Sequence, residues 1–439
     1  MVFIYHRLRK PSIFDFESIP WIVRRALFYV KHKMFPNINV NITEPERPIL
    51  YTNIPGPKTI GSLNDLALFS YDYNHISVFA NEEKSYLNFI VDSDGNSILN
   101  LNNVGLPLGY NNPLLIKNSY SHQNELLTIN RNSDSFKTMS NESISDLKSY
   151  LNYLKRGNLN RFIPVSDTES TLASLLSLNS RFNSNNRDFV LNLSNLIDSQ
   201  VRNSSELEFD FLNRISKDII TYLNENSSNL LGLIVEPISL TKNNGHIYLN
   251  ESIVNSIQEF CNSKNIAFII DETNSALNSG SLFGIDNYKL KREPDYVILK
   301  NKSSISQGIL TNEKNASFIN DCERVNLDTY RINSSVVTLK YIQEEKLLEK
   351  SKRNGEYVRK RLNESLKFNG DKIENIRGIG SYTSFDMKKG SNSDFFKQAL
   401  NTGILVNKAG KNSITLRSSL VIKSNHFEPV FDVLNNYKI

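Results

Sequence analysis

Cysteine is scarce. Cys261 and Cys322 are the only two in 439 residues, which excludes a disulfide scaffold and an all-thiolate metal site. No apolar run reaches the ~18 residues a membrane-spanning helix needs. The six histidines, His6, His32, His75, His122, His246 and His426, are scattered without metal-ligand spacing. A GxSxG elbow, a Walker loop, a dinucleotide fingerprint, a zinc finger and an aromatic-interleaved basic patch are all lacking. Charge of one sign is modest too. The balance of 51 Lys+Arg against 46 Asp+Glu gives +5 and a pI near 8.8. That is too weak to mark a nucleic-acid binder, yet basic for an ordinary metabolic enzyme.

What is present is 39% hydrophobic and 22% charged residues, the balance of a folded, enzyme-sized chain. Its length suits about two or three domains, or one large α/β unit with an appendage. The first stretch carries Arg7, Arg9, Lys10, Arg24, Arg25, Lys31 and Lys33 against only Asp15 and Glu17. From Trp21 to Met34, apolar Ile22, Val23, Ala26, Leu27, Val30 and Met34 recur at helical spacing. This basic, amphipathic start resembles a mitochondrial targeting segment; the plainer reading is a surface helix capping the fold.

Residues 37–62 are rich in Pro and turn formers and read as an extended connector. FIVDSDGNSILNL at 89–101 reads as a β-hairpin around Asp94-Gly95-Asn96. From about residue 140 to 330 helix and strand patterns alternate. The runs LLGLIVEPI (230–238), IAFIIDET (266–273) and DYVILK (295–300) suit strands buried on both faces of a parallel sheet. Helices are expected over Ile144–Leu154, Ser170–Leu178, Glu206–Asn224 and Ser252–Asn262. The tail reads as a helix over 336–365, a strand SYTSFDM, a helix over 393–401, a strand ITLRSSL and a final helix. Gly-x-Gly in IRGIGS (376–381) marks a tight turn. Asp271 and Glu236 end their strands where an open α/β sheet faces its ligand crevice; taken alone, Asp271-Glu272 reads as a helix cap or surface pair.

The ordered landmarks NIPGPK, EEKSYLNFIVDSDGNSILNL, PLGYNNPLLIK, LIVEPI, FIIDE, PDYVILKNK, IRGIGSYTSFDM and ITLRSSL run from residue 53 to the C-terminal region. In order and spacing the chain resembles the class III (fold type I) pyridoxal-phosphate aminotransferases, and among them the 4-aminobutyrate aminotransferases. The resemblance implies a mainly parallel seven-stranded sheet wrapped by helices, with a small α+β domain. The boundaries it suggests are 1–48 (basic extension), 49–110 (N-terminal part of the small domain), 111–330 (large domain) and 331–439 (C-terminal part of the small domain).

Carried over residue by residue, the resemblance breaks at the chemistry. The Schiff-base lysine position is Asn301, preceded by Lys300 where the family has a small residue. An amide forms no imine. Lys300 or Lys302 offers a displaced lysine as the rival reading. The phosphate turn is matched by Val165-Ser166-Asp167-Thr168-Glu169-Ser170, with the glycine gone and two acids present. The ring-stacking segment is matched by DFVLNLSNLIDSQ, without its His, Gly or Arg. Ser239-Leu240-Thr241-Lys242-Asn243, Asn274 and Asn102-Asn103-Val104 depart from the family as well. Asp271, which in the family pairs with the pyridine nitrogen, survives with Glu236, Arg417 and Thr329. Arg417 matches a carboxylate-binding arginine, and an ion pair within the small domain is the favoured reading for it.

The resulting expectation is a pseudoenzyme that binds no cofactor and no metal. Asp271, Ser166 and Arg417 would be vestiges of the ancestral site. Its place would be the mitochondrial matrix, as a structural subunit among others of an assembly such as the mitochondrial ribosome. The extension (Arg7, Arg9, Lys10, Arg24, Arg25, Lys31, Lys33) would contact partners, including ribosomal RNA phosphates. A homodimer or heterodimer through the ancestral interface is also expected. The alternatives are a divergent pyridoxal-phosphate aminotransferase and an inactive regulatory partner of an active paralogue.

Overall fold

The structure, a computed structural model, describes residues 44–66, 78–103, 105–121, 141–165, 167–183, 187, 189–203, 206–300, 305–317, 328–388 and 390–437. Helix α1 (Pro57–Leu66) precedes the hairpin of β1 (Phe89–Val91) and β2 (Ser97–Asn100). Next come α2 (Pro113–Ser121), α3 (Asn141–Leu154), β3 (Arg161–Pro164), α4 (Thr168–Leu178) and β4 (Phe189–Asn192). Helices α5 (Leu193–Ser199) and α6 (Glu208–Asn226) lead to β5 (Leu230–Val235). A second hairpin, β6 (Ile238–Thr241) and β7 (Gly245–Tyr248), precedes α7 (Glu251–Ser263) and β8 (Ala267–Asp271). Then follow β9 (Tyr296–Leu299), β10 (Gly308–Thr311), α8 (Glu313–Ala316), α9 (Thr329–Glu344) and α10 (Leu347–Asn369). The chain finishes with β11 (Ile373–Arg377), β12 (Tyr382–Met387), α11 (Asn392–Asn401), β13 (Ile404–Leu405), β14 (Asn407–Ala409), β15 (Ser413–Arg417) and α12 (Glu428–Asn436). Among the described residues no helix is long and apolar enough to cross a membrane.

The central sheet has the order β3-β10-β9-β8-β5-β4, and only β10 runs against the others. Among the described residues it holds six strands where seven were expected. The chain leaves edge strand β4 directly into α5 at Leu193, and from Glu208 it is helical again up to Asn226, with no described strand left to pair beyond β4. The sheet is covered on both faces, as its apolar strands require. On one face Leu233, Phe268, Ile270 and Val297 pack against Phe211, Ile215 and Ile219 of α6 and Ile257 of α7. On the other, Ile163, Leu231, Ile269 and Ile298 meet Leu172, Leu175 and Leu176 of α4. Each such buried side chain is worth roughly 1.5–3 kcal/mol.

A second core joins the two ends of the chain. Phe89, Leu99 and Leu101 pack with Phe385, Phe395, Ile414, Phe431 and Leu434, beside the four-stranded sheet β11-β12-β15-β14. The single helix expected over 336–365 is two helices, α9 and α10, parted at Lys346, whose φ of 52° is left-handed. The break has a packing reason. Leu339, Ile342 and Leu347 belong to the central core, whereas Val358 and Leu362 further along α10 belong to the second. The connector expected over 37–62 becomes helical at Pro57, because Asp94 accepts from Lys58 N (2.8 Å) and Thr59 N (3.0 Å) and so caps α1 from the β1–β2 turn. The helix expected at Trp21–Met34 lies outside the described residues.

Candidate functional site

Three neighbouring parallel strands end on one crevice. Beyond β5 stands Glu236, β8 ends in Asp271, and beyond β9 stands Lys300. With Glu169 from the first turn of α4, Asn192, Thr273 and Asn274, they line a cavity of about 240 Å³. Lys300 Nζ donates to Glu169 Oε1 at 2.9 Å and lies 3.7 Å from Asp271 Oδ2. Partial burial works against this ammonium, but the Glu169 hydrogen bond and the charges of Asp271, Glu169 and Glu236 outweigh it and raise its pKa. Burial raises the Glu236 carboxyl, with Asp271 adding to the rise, although Asn192 Nδ2 donates to it at 2.8 Å. Asp271 accepts from Thr273 N at 2.8 Å and from the Thr273 hydroxyl, so it also braces the turn after β8.

The opposite end of the crevice is the start of α4. Asp167 is its N-cap, accepting from Glu169 N (3.0 Å) and Ser170 N (3.4 Å). A helix N-terminus binds an anion through such free amides; here a carboxylate of the chain already holds two of them, and Glu169 adds another negative group beside them.

The remaining candidates fall apart from this crevice. Arg417 ends β15 and is 6% exposed. Its Nη1 donates to the Tyr382 hydroxyl at 2.8 Å. Among the described residues no carboxylate pairs with it, so the expected small-domain ion pair is replaced by a tyrosine contact. Its guanidinium carbon lies 5.5 Å from the Tyr382 ring centroid, which supplies the electron-rich surface a carboxylate would have offered. Thr329 merely opens α9, behind the cap Asp328. Ser166, Asn301, Lys302 and the seven basic residues of the extension lie outside the described residues. Glu272, read with Asp271 as a helix cap or surface pair, is fully buried. It accepts from Gly284 N (2.6 Å), Ile285 N (2.9 Å) and Ser275 Oγ (2.5 Å), and burial pushes its pKa up to about 7.

One constellation had no signal in the sequence. Arg377, from β11, reaches Asp386 Oδ1 at 2.9 Å and Glu208 Oε2 at 2.9 Å, while Arg202 holds the other Asp386 oxygen. All four side chains are nearly buried. Beside them His246 Nδ1 meets Thr415 Oγ1 at 2.8 Å, and burial drops its pKa to about 3. The strand pairing of β12 with β11 and β15 and the approach of β7 to β15 bring Arg377, Asp386, His246 and Thr415 together, and Arg202 and Glu208 join them from the start of α6 and the segment before it.

The class III aminotransferase family matches residues 171–437, and the chain belongs to it. Its fold is the type I aminotransferase fold. Lysine aminotransferase from M. tuberculosis in the internal aldimine form superposes with a TM-score of 0.70 at 16% identity, over 86% of this chain and 98% of that one. Ornithine delta-aminotransferase of Plasmodium falciparum gives 0.68 at 17%, over 86% and 97%. Within the family, the chain is similar to 4-aminobutyrate aminotransferases. The probable mitochondrial enzyme of Caenorhabditis elegans is 23% identical, over 89% of this chain and 94% of that protein. The mitochondrial enzyme of Sus scrofa is 21% identical, over 89% and 91%.

The family's cofactor, pyridoxal phosphate, brings a phosphate dianion and a protonated pyridine nitrogen. The described residues do not fit it. The α4 amides that would take the anion hold Asp167, and the carboxylate that would face the pyridinium has the Lys300 ammonium nearby.

Proposed function

We propose that this chain is a non-catalytic derivative of a 4-aminobutyrate aminotransferase and serves as a structural subunit of a mitochondrial assembly, the mitochondrial ribosome first among them. The observation that supports the loss of catalysis is the occupation of the crevice by the chain's own charged groups. Asp167 occupies the anion position on α4, and Lys300 stands against Asp271 and Glu169. Asn301 in place of the imine-forming lysine agrees with it. Lys300 is a poor substitute nucleophile, since the surrounding carboxylates hold it charged. The mitochondrial setting is supported by the basic, acid-poor start and by the names of the mitochondrial relatives.

The experiment is gradient sedimentation of the native, tagged protein from mitochondria, with RNA and protein read in every fraction. Co-sedimentation with ribosomal RNA is expected, and so is its loss on deletion of residues 1–36, with import supplied by an unrelated targeting segment and the deleted protein shown to be folded. Migration as a free monomer or dimer contradicts the assembly role.

A further inference from the structure

Two tight turns from distant parts of the chain meet at one rim of the four-stranded sheet. The β6–β7 turn carries Lys242 and Asn243, and the β14–β15 turn carries Gly410, Lys411 and Asn412. Lys411 N donates to Asn243 O at 3.3 Å. A Cβ on Gly410, whose φ is +56°, would lie 2.4 Å from Gly245 N, so the turns touch backbone to backbone and only glycine fits there. Lys388 follows β12 where Met387 N donates to Asn412 O at 2.9 Å. Lys408 lies on edge strand β14, its ammonium 5.1 Å from the Phe396 ring centroid. All four lysines are exposed. The lysine ion pairs among the described residues involve Lys291, Lys300, Lys340, Lys350 and Lys360, and none of these four.

Two acids of the same region are turned inward and held by arginines, whereas Glu374 on β11, opposite Asp386, is partly exposed. Asp386, two residues before Lys388, is bound by Arg377, Arg202 and the Ser413 hydroxyl. Glu208 is bound by Arg377. Asp198 accepts from Asn243 N at 2.8 Å, and Asp394 from Ser391 Oγ at 2.7 Å. The fold thus gathers four exposed lysines on one rim, in a chain nearly balanced overall. The buried array also braces the rim. Arg202 N donates to Asn244 Oδ1 at 2.9 Å in the β6–β7 turn, and Arg377 Nη2 to Ser413 Oγ at 3.0 Å beside the β14–β15 turn. The lysines stand on a fixed base rather than on independent loops.

We propose that the rim formed by Lys242, Lys388, Lys408 and Lys411 is a contact surface for the phosphate backbone of a folded RNA. The inference rests on the reading of this chain as a subunit of an RNA-containing assembly. Lysine ammonium groups act on phosphates as point charges and read no base, so the contact positions the backbone without sequence preference. A membrane fits less well. Among the described residues, β11, β12, β14 and β15 present no large exposed apolar side chain; those nearby are Leu240 on β6 and Val201, Leu207 and Phe209 beside Arg202 and Glu208, a scattered set rather than one face.

The test titrates the full-length protein, and the same protein carrying K242Q, K388Q, K408Q and K411Q, against a short duplex RNA of arbitrary sequence over a salt series. Thermal midpoints show that the variant is folded; the double variants K242Q/K411Q and K388Q/K408Q stand in if it is not. The expected result is about tenfold weaker binding at low salt. The slope of log K against log salt should be shallower by about three, at ~0.7–0.9 for each phosphate no longer neutralised, and by about half that in each double variant. Equal slopes overturn the proposal. Loss of binding to phosphatidylserine vesicles or to polyglutamate, with RNA binding untouched, also overturns it and assigns the rim to a membrane or an acidic protein. A rim-dependent slope in a chain that forms an imine with pyridoxal phosphate keeps the rim and removes the non-catalytic reading. Absence of both removes the rim alone.

Discussion

Glu208 shows what a single buried charge does in this fold. Burial pushes its carboxyl from 4.5 up to about 7, against the pull of Arg377. A folded-state value above the unfolded one means that the folded chain holds this proton more tightly. The stability it contributes is complete below about pH 4.5 and is lost as pH rises through 7. Glu208→Gln has no proton to lose. Between pH 5 and pH 8 the unfolding free energy of the natural protein should therefore fall relative to the variant by up to about 3 kcal/mol. Denaturant midpoints at both pH values measure this, and a pH-independent difference contradicts it. The same residue marks a limit of sequence reading. Glu208 opens a helix and was legible only as a first-turn acid. Its partner Arg377 stands far along the chain, and nothing in the spacing joins them.

Among the elements, the strands with both faces buried were the most legible, since LIVEPI, FIIDET and DYVILK have no polar alternation to confuse them. Elements set by distant contacts were not. Hairpin β6–β7 sits in a stretch read only as a departure from the family, and the α9–α10 break follows from which core each helix serves. Helix α1 depends on a cap contributed from the β1–β2 turn. Asp94→Ala removes three hydrogen bonds, to Lys58 N, Thr59 N and Thr59 Oγ1. It should cost about 1 kcal/mol and speed amide exchange in residues 57–66. Unchanged exchange there would show that α1 does not rely on this cap.

At the scale of the whole molecule, the fold keeps its strand ends converging on a crevice while Lys300 and Asp167 of the chain itself stand among its carboxylates and amides. Asp271 and Glu236 were legible because they stand at the ends of apolar strands. That Lys300 turns toward Asp271, and that Asp167 takes the α4 amides, needed the structure, because a lysine after a strand and an acid before a helix have many ordinary uses. Restoring one group should therefore not restore the reaction. Asn301→Lys is expected to give no turnover of 4-aminobutyrate above background, since covalent catalysis also needs its neighbours placed within about half an ångström. Measurable turnover would show that the altered anion end and the Lys300 contact matter little.

The most direct measurement is titration of the purified natural protein with pyridoxal phosphate, followed by borohydride reduction and intact-mass analysis. The crevice filled by the chain's own charged groups predicts no imine absorbance band and no mass increase beyond that of a protein with surface lysines alone. A saturating band, together with one stoichiometric adduct that disappears when Lys300 or Lys302 is replaced, would contradict the account and restore the enzyme.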